Sequence, residues 1–221
     1  MSDSIMNRPF YWAIAAVVAV ATLVFFVAVS LEPTAQKMLM REHGPIEALS
    51  AFGYLLCVAV MAKAGGSDYL KKYWYFAVVL VSFAAREMDF DKAFTEVGVL
   101  KSKFFFSPEV SVMGKLVSAV ILGFILFALI TIVRRHGKSF LVKVFSFRWD
   151  PVIWSVGFAG TFLVVSKSLD GLGRKLRGWG IADISPEVDK VASLVEESME
   201  LAVPYLFIIA VLAYLRSQRS A

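Results

Sequence analysis

A chain of 221 residues that is 58% hydrophobic, with a mean hydropathy of +0.70, is more apolar than a typical soluble domain. Its apolar residues gather in long blocks, and the net charge of +5 resides largely between and at the ends of those blocks. That pattern excludes an ordinary soluble domain, and the positive charge reads as a topology signal that requires no nucleic-acid partner.

Six blocks, at about 10–31, 46–63, 73–90, 112–133, 151–170 and 197–215, approach the roughly 20 residues a helix needs to cross about 30 Å of hydrocarbon. The ten-residue alternation of a membrane barrel is absent. The expectation is an all-α integral membrane bundle of about six transmembrane helices. No linker or low-complexity tract divides it, so residues 1–221 read as a single polytopic domain.

The first block follows a short polar head, and its apolar run is longer than the usual core of a signal peptide, so it reads as an uncleaved anchor. The second, opening with "GPIEALSAFGYLL", carries Glu47 near its start and the lone cysteine, Cys57, inside. The third enters at Lys71 and Lys72, with Tyr73 and Trp74 suited to the interface, and closes with "AAREMDFDK". Counting about 20 residues forward puts its far boundary near Asp91 or Lys92, so Arg86 and Glu87 lie about 7–9 Å inside the hydrocarbon.

The fourth and sixth helices each follow an "SPEV" tetrapeptide, at 107–110 and 185–188, with serine as cap and proline in the first turn. The fifth runs from Asp150 and sinks Lys167 below the boundary, with Asp170 near it and Arg174 one turn on along the same face. The sixth should extend from Pro186 to about Leu215, longer than the membrane, with Val188, Val191 and Val195 along an amphipathic extension and a kink at Pro204. It carries Glu196, Glu197 and Glu200. His43 and His136 fall in different connecting segments, so neither a haem nor a zinc site is expected.

The connections form two sets. One, comprising both termini and the segments at 63–72 and 134–150, holds 11 Lys/Arg and only Asp3, Asp68 and Asp150; the other holds the remaining 15 acids. The density of basic residues at the helix ends of the first set places both termini in the cytoplasm.

Ionisable groups thus fall at one depth on four helices: Glu47, Arg86, Glu87, Asp89, Asp91, Lys167, Asp170, Glu196, Glu197 and Glu200. A charge in lipid costs from about 2.5 kcal/mol upward, so these groups are expected to turn inward and meet in a polar cup on the periplasmic side. The acids outnumber the bases. Surplus carboxylates in low dielectric bind protons or a cation, and Glu47, Glu87, Asp170 and Glu200 are candidates to hold Mg²⁺ or Ca²⁺.

The runs "GPIEALSAFGYLL", "AAREMDF" and "EESMEL" resemble a diffuse, uncharacterised group of bacterial multi-spanning proteins, in which a glutamate opens one helix, an acidic motif closes the next and a Glu-Glu pair opens the last. The chain departs from that pattern at Arg86, which stands in place of the first acid, and in lacking the usual Trp-Gly-Gln segment. The resemblance implies a bacterial inner-membrane location and leaves the reaction open. Three readings follow. The cup is a divalent-cation-dependent site for a lipid or lipid-linked anionic substrate, a device that sets helix register in a structural or assembly subunit, or part of an ion- or proton-coupled transporter.

Overall fold

In the computed structural model the described residues are 2–39, 44–90, 102–108, 110–181 and 183–219; side chains are described from residue 7 onward and not at 102 and 103. All regular structure among them is helical: α1 (Ser2–Ser30), α2 (Pro33–Leu39), α3 (Pro45–Lys72), α4 (Trp74–Glu87), α5 (Ser102–Phe106), α6 (Val112–Ile132), a π-helical turn (Val133–Gly137), α7 (Lys138–Phe145), α8 (Pro151–Leu169), α9 (Leu172–Gly178) and α10 (Pro186–Arg219).

Five stretches are long and apolar enough to cross a membrane: residues 7–30, α3, α6 continued through α7, α8 and α10. This is an all-α, multi-pass membrane bundle. The third expected span is shorter than the composition implied. Its helix, α4, has 14 residues, about 21 Å at 1.5 Å per residue. The reason is local: α3 runs on to Lys72 through a kink at Gly66, and the chain reverses at Tyr73, whose amide still bonds to Tyr69. Gly66 has φ 81°, a left-handed conformation open to glycine at little cost, so the segment expected as a loop at 63–72 is a kinked helix end instead.

Two other boundaries moved. Residues 134–145 continue α6 through the π-helical turn and do not form a loop. The first "SPEV" does not start its helix: Ser111, four residues beyond Ser107, accepts from the Gly114 amide at 3.1 Å and caps α6. At the second, Ser185 accepts from the Val188 amide at 3.3 Å and α10 begins at Pro186 as expected.

α10 is the spine, packed against α8, α3 and α1, while α4 rests on α3 and carries α6 on its outer side. The core joins Tyr54, Cys57 and Met61 of α3, Val79 and Leu80 of α4, and Val203, Leu206 and Ile209 of α10. Its tightest seam is at Gly53, where even a β-carbon would sit 2.8 Å from the Pro204 ring. Only glycine lets α3 close against α10 at Pro204. At 34 residues α10 measures about 51 Å, well beyond the hydrocarbon. Its overhang buries Ala192 and Leu194 and exposes Val188 and Val191.

Candidate functional site

Two polar layers cap the apolar core. One lies where α3 meets α4 and where α10 ends; Tyr73 and Tyr214 mark it. The other lies at the end of α4 and in the middle of α10, at Arg86 and Glu200. From Tyr73 to Arg86 along α4, and from Tyr214 to Glu200 along α10, the separation is about 20 Å. Both layers therefore fit within a hydrocarbon core of about 30 Å, and the second is the cup.

Glu200 is its centre. It is 6% exposed, and one of its oxygens, Oε1, meets Lys167 Nζ at 2.9 Å, the Ser166 hydroxyl at 3.2 Å and Arg86 Nη2 at 3.6 Å. A single carboxylate oxygen thus ties α4 and α8 to α10. Glu87, also buried, lies 3.8 Å from Arg86 Nη1. Lys167 reaches Asp170 at 3.6 Å and Glu196 at 3.7 Å. The Lys167–Glu200 pair is close enough for a strong hydrogen bond, whereas the Arg86–Glu87, Arg86–Glu200, Lys167–Asp170 and Lys167–Glu196 pairs are longer Coulombic contacts.

Exposure is graded. Glu87 and Glu200 form a buried floor, whereas the Arg86 and Lys167 side chains are 36% and 38% exposed and Asp170 is 47% exposed. The group is therefore most exposed on the side of α8 and its following turn. Here α8 ends at Leu169, and Gly171 takes φ 58°, the left-handed conformation that reverses the chain into α9. That turn corrects the expectation that Arg174 continues the face of Lys167 and Asp170: Arg174 belongs to α9. The turn is held from both sides, by Lys175 Nζ donating to the Lys167 carbonyl at 2.8 Å and by the Gly173 amide donating to Asp189 at 2.9 Å.

On the α3 side, Glu47 is half-buried and lies within electrostatic range of Glu87 and Glu197. Glu197 in turn acts on Glu200 and Glu196. Asp89 sits in the turn closing α4, with φ 50°. Asp91 lies outside the described residues. The sequence-predicted residues Glu47, Arg86, Glu87, Lys167, Asp170, Glu196, Glu197 and Glu200 are thus brought to one end of the bundle. Among the described residues they form no group that could hold a metal ion. Asp170 lies beside Lys167 at the end of α8, and Glu47 opens α3.

Three contributors escaped the sequence reading. Ser166 shares Glu200 with Lys167. Tyr54, 2% exposed, lies within electrostatic range of Glu87, Glu200 and Arg86. Ser50 is fully buried, and its hydroxyl has no hydrogen-bond partner among the described residues. The signal was available for two of them: Ser50 and Tyr54 follow Glu47 by three and seven residues, which at 100° per residue puts all three on one face.

The opposite layer was also missed. Tyr73 and Tyr214 share a hydroxyl–hydroxyl bond of 2.8 Å, and the Tyr75 hydroxyl is 2.8 Å from His136 Nε2. The π-helical turn carries His136 to this partner, with Arg135 over the Tyr75 ring at 5.4 Å.

Comparison of the chain with protein-family models, with curated proteins and with solved structures finds no match.

Proposed function

We propose that this is a multi-pass protein of the bacterial inner membrane whose cup, at the periplasmic face, receives the charged headgroup of a lipid or lipid-linked molecule. The carrying observation is the graded exposure of one ion-pair group: Glu200 and Glu87 are buried, while Lys167, Arg86 and Asp170 open at the rim. A purely internal brace has no use for an open rim of both charge signs. A headgroup does, because it brings charge to this depth already attached to an apolar anchor, and fixed charges in a half-dry site hold it more strongly than water-exposed ones.

The test is thermal unfolding in detergent with added lipid. A ligand bound only by the native state raises its apparent stability. Phosphate-bearing lipids are expected to raise Tm saturably, diacylglycerol to give no shift, and Asp170→Asn, an exposed rim change, to enlarge the shift given by anionic phospholipids while leaving the lipid-free Tm near wild type. Equal shifts with phospholipid and diacylglycerol would overturn the reading.

The convergence of three helices on Glu200 Oε1 favours a second role for the same charges, that of fixing helix register. Transport is the weaker reading, since below the cup the core is built from Cys57, Met61, Val203 and Leu206.

Orientation rests on the basic residues at the helix ends of one set of connections. Reporter fusions after Gly66, Lys138 and Ala221 are expected to report cytoplasm, and fusions near Lys103 and Gly180 periplasm. Any one of them reporting the opposite side breaks the map.

A further inference from the structure

Along the outer face of α8 runs an apolar groove of about 750 Å³, walled by α8 from Ile153 to Val165 and closed at its lower end by Phe140, Trp149 and Trp154. Its α8 wall spans 12 residue steps, about 18 Å, which exceeds half of a 30 Å hydrocarbon core. At 100° per residue, Ile153, Gly157, Gly160, Val164 and Lys167 fall within an 80° stripe. The groove thus leads to the exposed flank of the cup, its last α8 wall residue, Val165, standing two positions before Lys167. Its floor is open because of two glycines: a β-carbon at Gly157 or Gly160 would meet nothing within 4 Å.

The charges at its head distinguish among occupants. Lys167 already has Asp170, Glu196 and Glu200 within 4 Å, and with Arg86 also on Glu200 the balance is three acids against two bases. An anionic headgroup placed there adds to a surplus of negative charge. A headgroup carrying phosphate and a primary ammonium in tandem meets both signs: the phosphate faces Lys167, and the ammonium donates hydrogen bonds to Asp170, the most exposed carboxylate of the group. A quaternary ammonium has no hydrogen to donate.

We propose that α8 binds one molecule of a phosphatidylethanolamine-type lipid, with one acyl chain lying in the groove past Gly160 and Gly157 and the headgroup across the Lys167–Asp170 pair. This rests on the headgroup reading of the cup and names its ligand.

The experiment uses the whole chain in detergent micelles with phosphatidylethanolamine brominated on its acyl chains, titrated at low mole fraction. Trp149 and Trp154 line the groove, so bound bromine quenches their fluorescence. Saturable quenching is expected, at least tenfold tighter for the ethanolamine lipid than for brominated glycerol or choline lipids. Gly157→Leu with Gly160→Leu fills the groove from positions where a β-carbon meets nothing within 4 Å, and is expected to abolish saturation while the lipid-free Tm holds. Asp170→Asn is expected to erase the preference for ethanolamine.

If the double leucine variant still quenches saturably, the groove assignment is wrong, whereas a phospholipid-dependent Tm shift in the same variant keeps the cup reading intact. If the glycerol lipid binds as tightly as the ethanolamine lipid, the headgroup assignment falls. Loss of the Tm shift with every phospholipid removes the cup reading and this inference together.

Discussion

The two polar layers of the bundle solve the same problem, polar groups in hydrocarbon, by different means. The tyrosine layer pairs hydroxyl with hydroxyl and hydroxyl with imidazole at 2.8 Å, with Tyr73 and Tyr75 almost wholly buried. Its members satisfy one another, and the neighbouring cations lie over ring faces. In the cup, one acid collects two bases, most of the ion pairs exceed 3.5 Å, and the rim stays open. A layer that only closes the end of a bundle can be neutral and short-bonded. A layer with surplus charge, long contacts and exposed partners leaves charge open at its rim.

That contrast can be broken by substitution. The largest effect is expected from Lys167→Met, which removes the closest partner of buried Glu200. Stranding a buried charge costs about 3–5 kcal/mol, and the low end applies here because Lys167 is partly exposed and Arg86 remains. Adding Glu200→Gln should recover much of the loss; a double variant no more stable than the single one would show that the two act independently. Next comes the seam between the layers. Gly53→Leu forces side-chain atoms into Pro204 and Tyr205 and should lower stability by about 1–3 kcal/mol, read by chemical or thermal unfolding in detergent.

In the neutral layer, Tyr75→Phe deletes one hydroxyl opposite His136 and should cost about 1 kcal/mol, with no change in lipid response. The smallest effect belongs to the rim. Asp170→Asn should move stability by less than about 0.5 kcal/mol, since exposed pairs contribute little, yet change lipid binding. A Tyr75→Phe variant that altered lipid response, or an Asp170→Asn variant that did not, would erase the distinction between the layers.

The bundle and its ion-pair group were legible in the sequence for the same reason. Long apolar blocks have one comfortable environment, and a charge inside such a block must find a partner facing inward, so Arg86, Glu87, Lys167 and Glu200 could be brought together before any coordinates. What stayed hidden depended on backbone detail. The position of Arg174 turned on one left-handed glycine, Gly171, and the length of α4 on how far α3 persisted past Gly66. His136 read as a loop residue because "RRHGK" is charged and contains glycine, whereas α6 carries through it in a widened turn that delivers the ring to Tyr75. The metal expectation came from counting acids; among the described residues no three of them form a group that could hold a metal ion.

Pro204 carries a consequence for Glu200. A proline has no amide hydrogen, so the carbonyl four residues earlier, which is that of Glu200, loses its helical donor. The backbone ladder of α10 is therefore one bond short at the residue on which three helices converge, and the side-chain contacts of Glu200 to α4 and α8 brace the helix at the rung its own backbone leaves open.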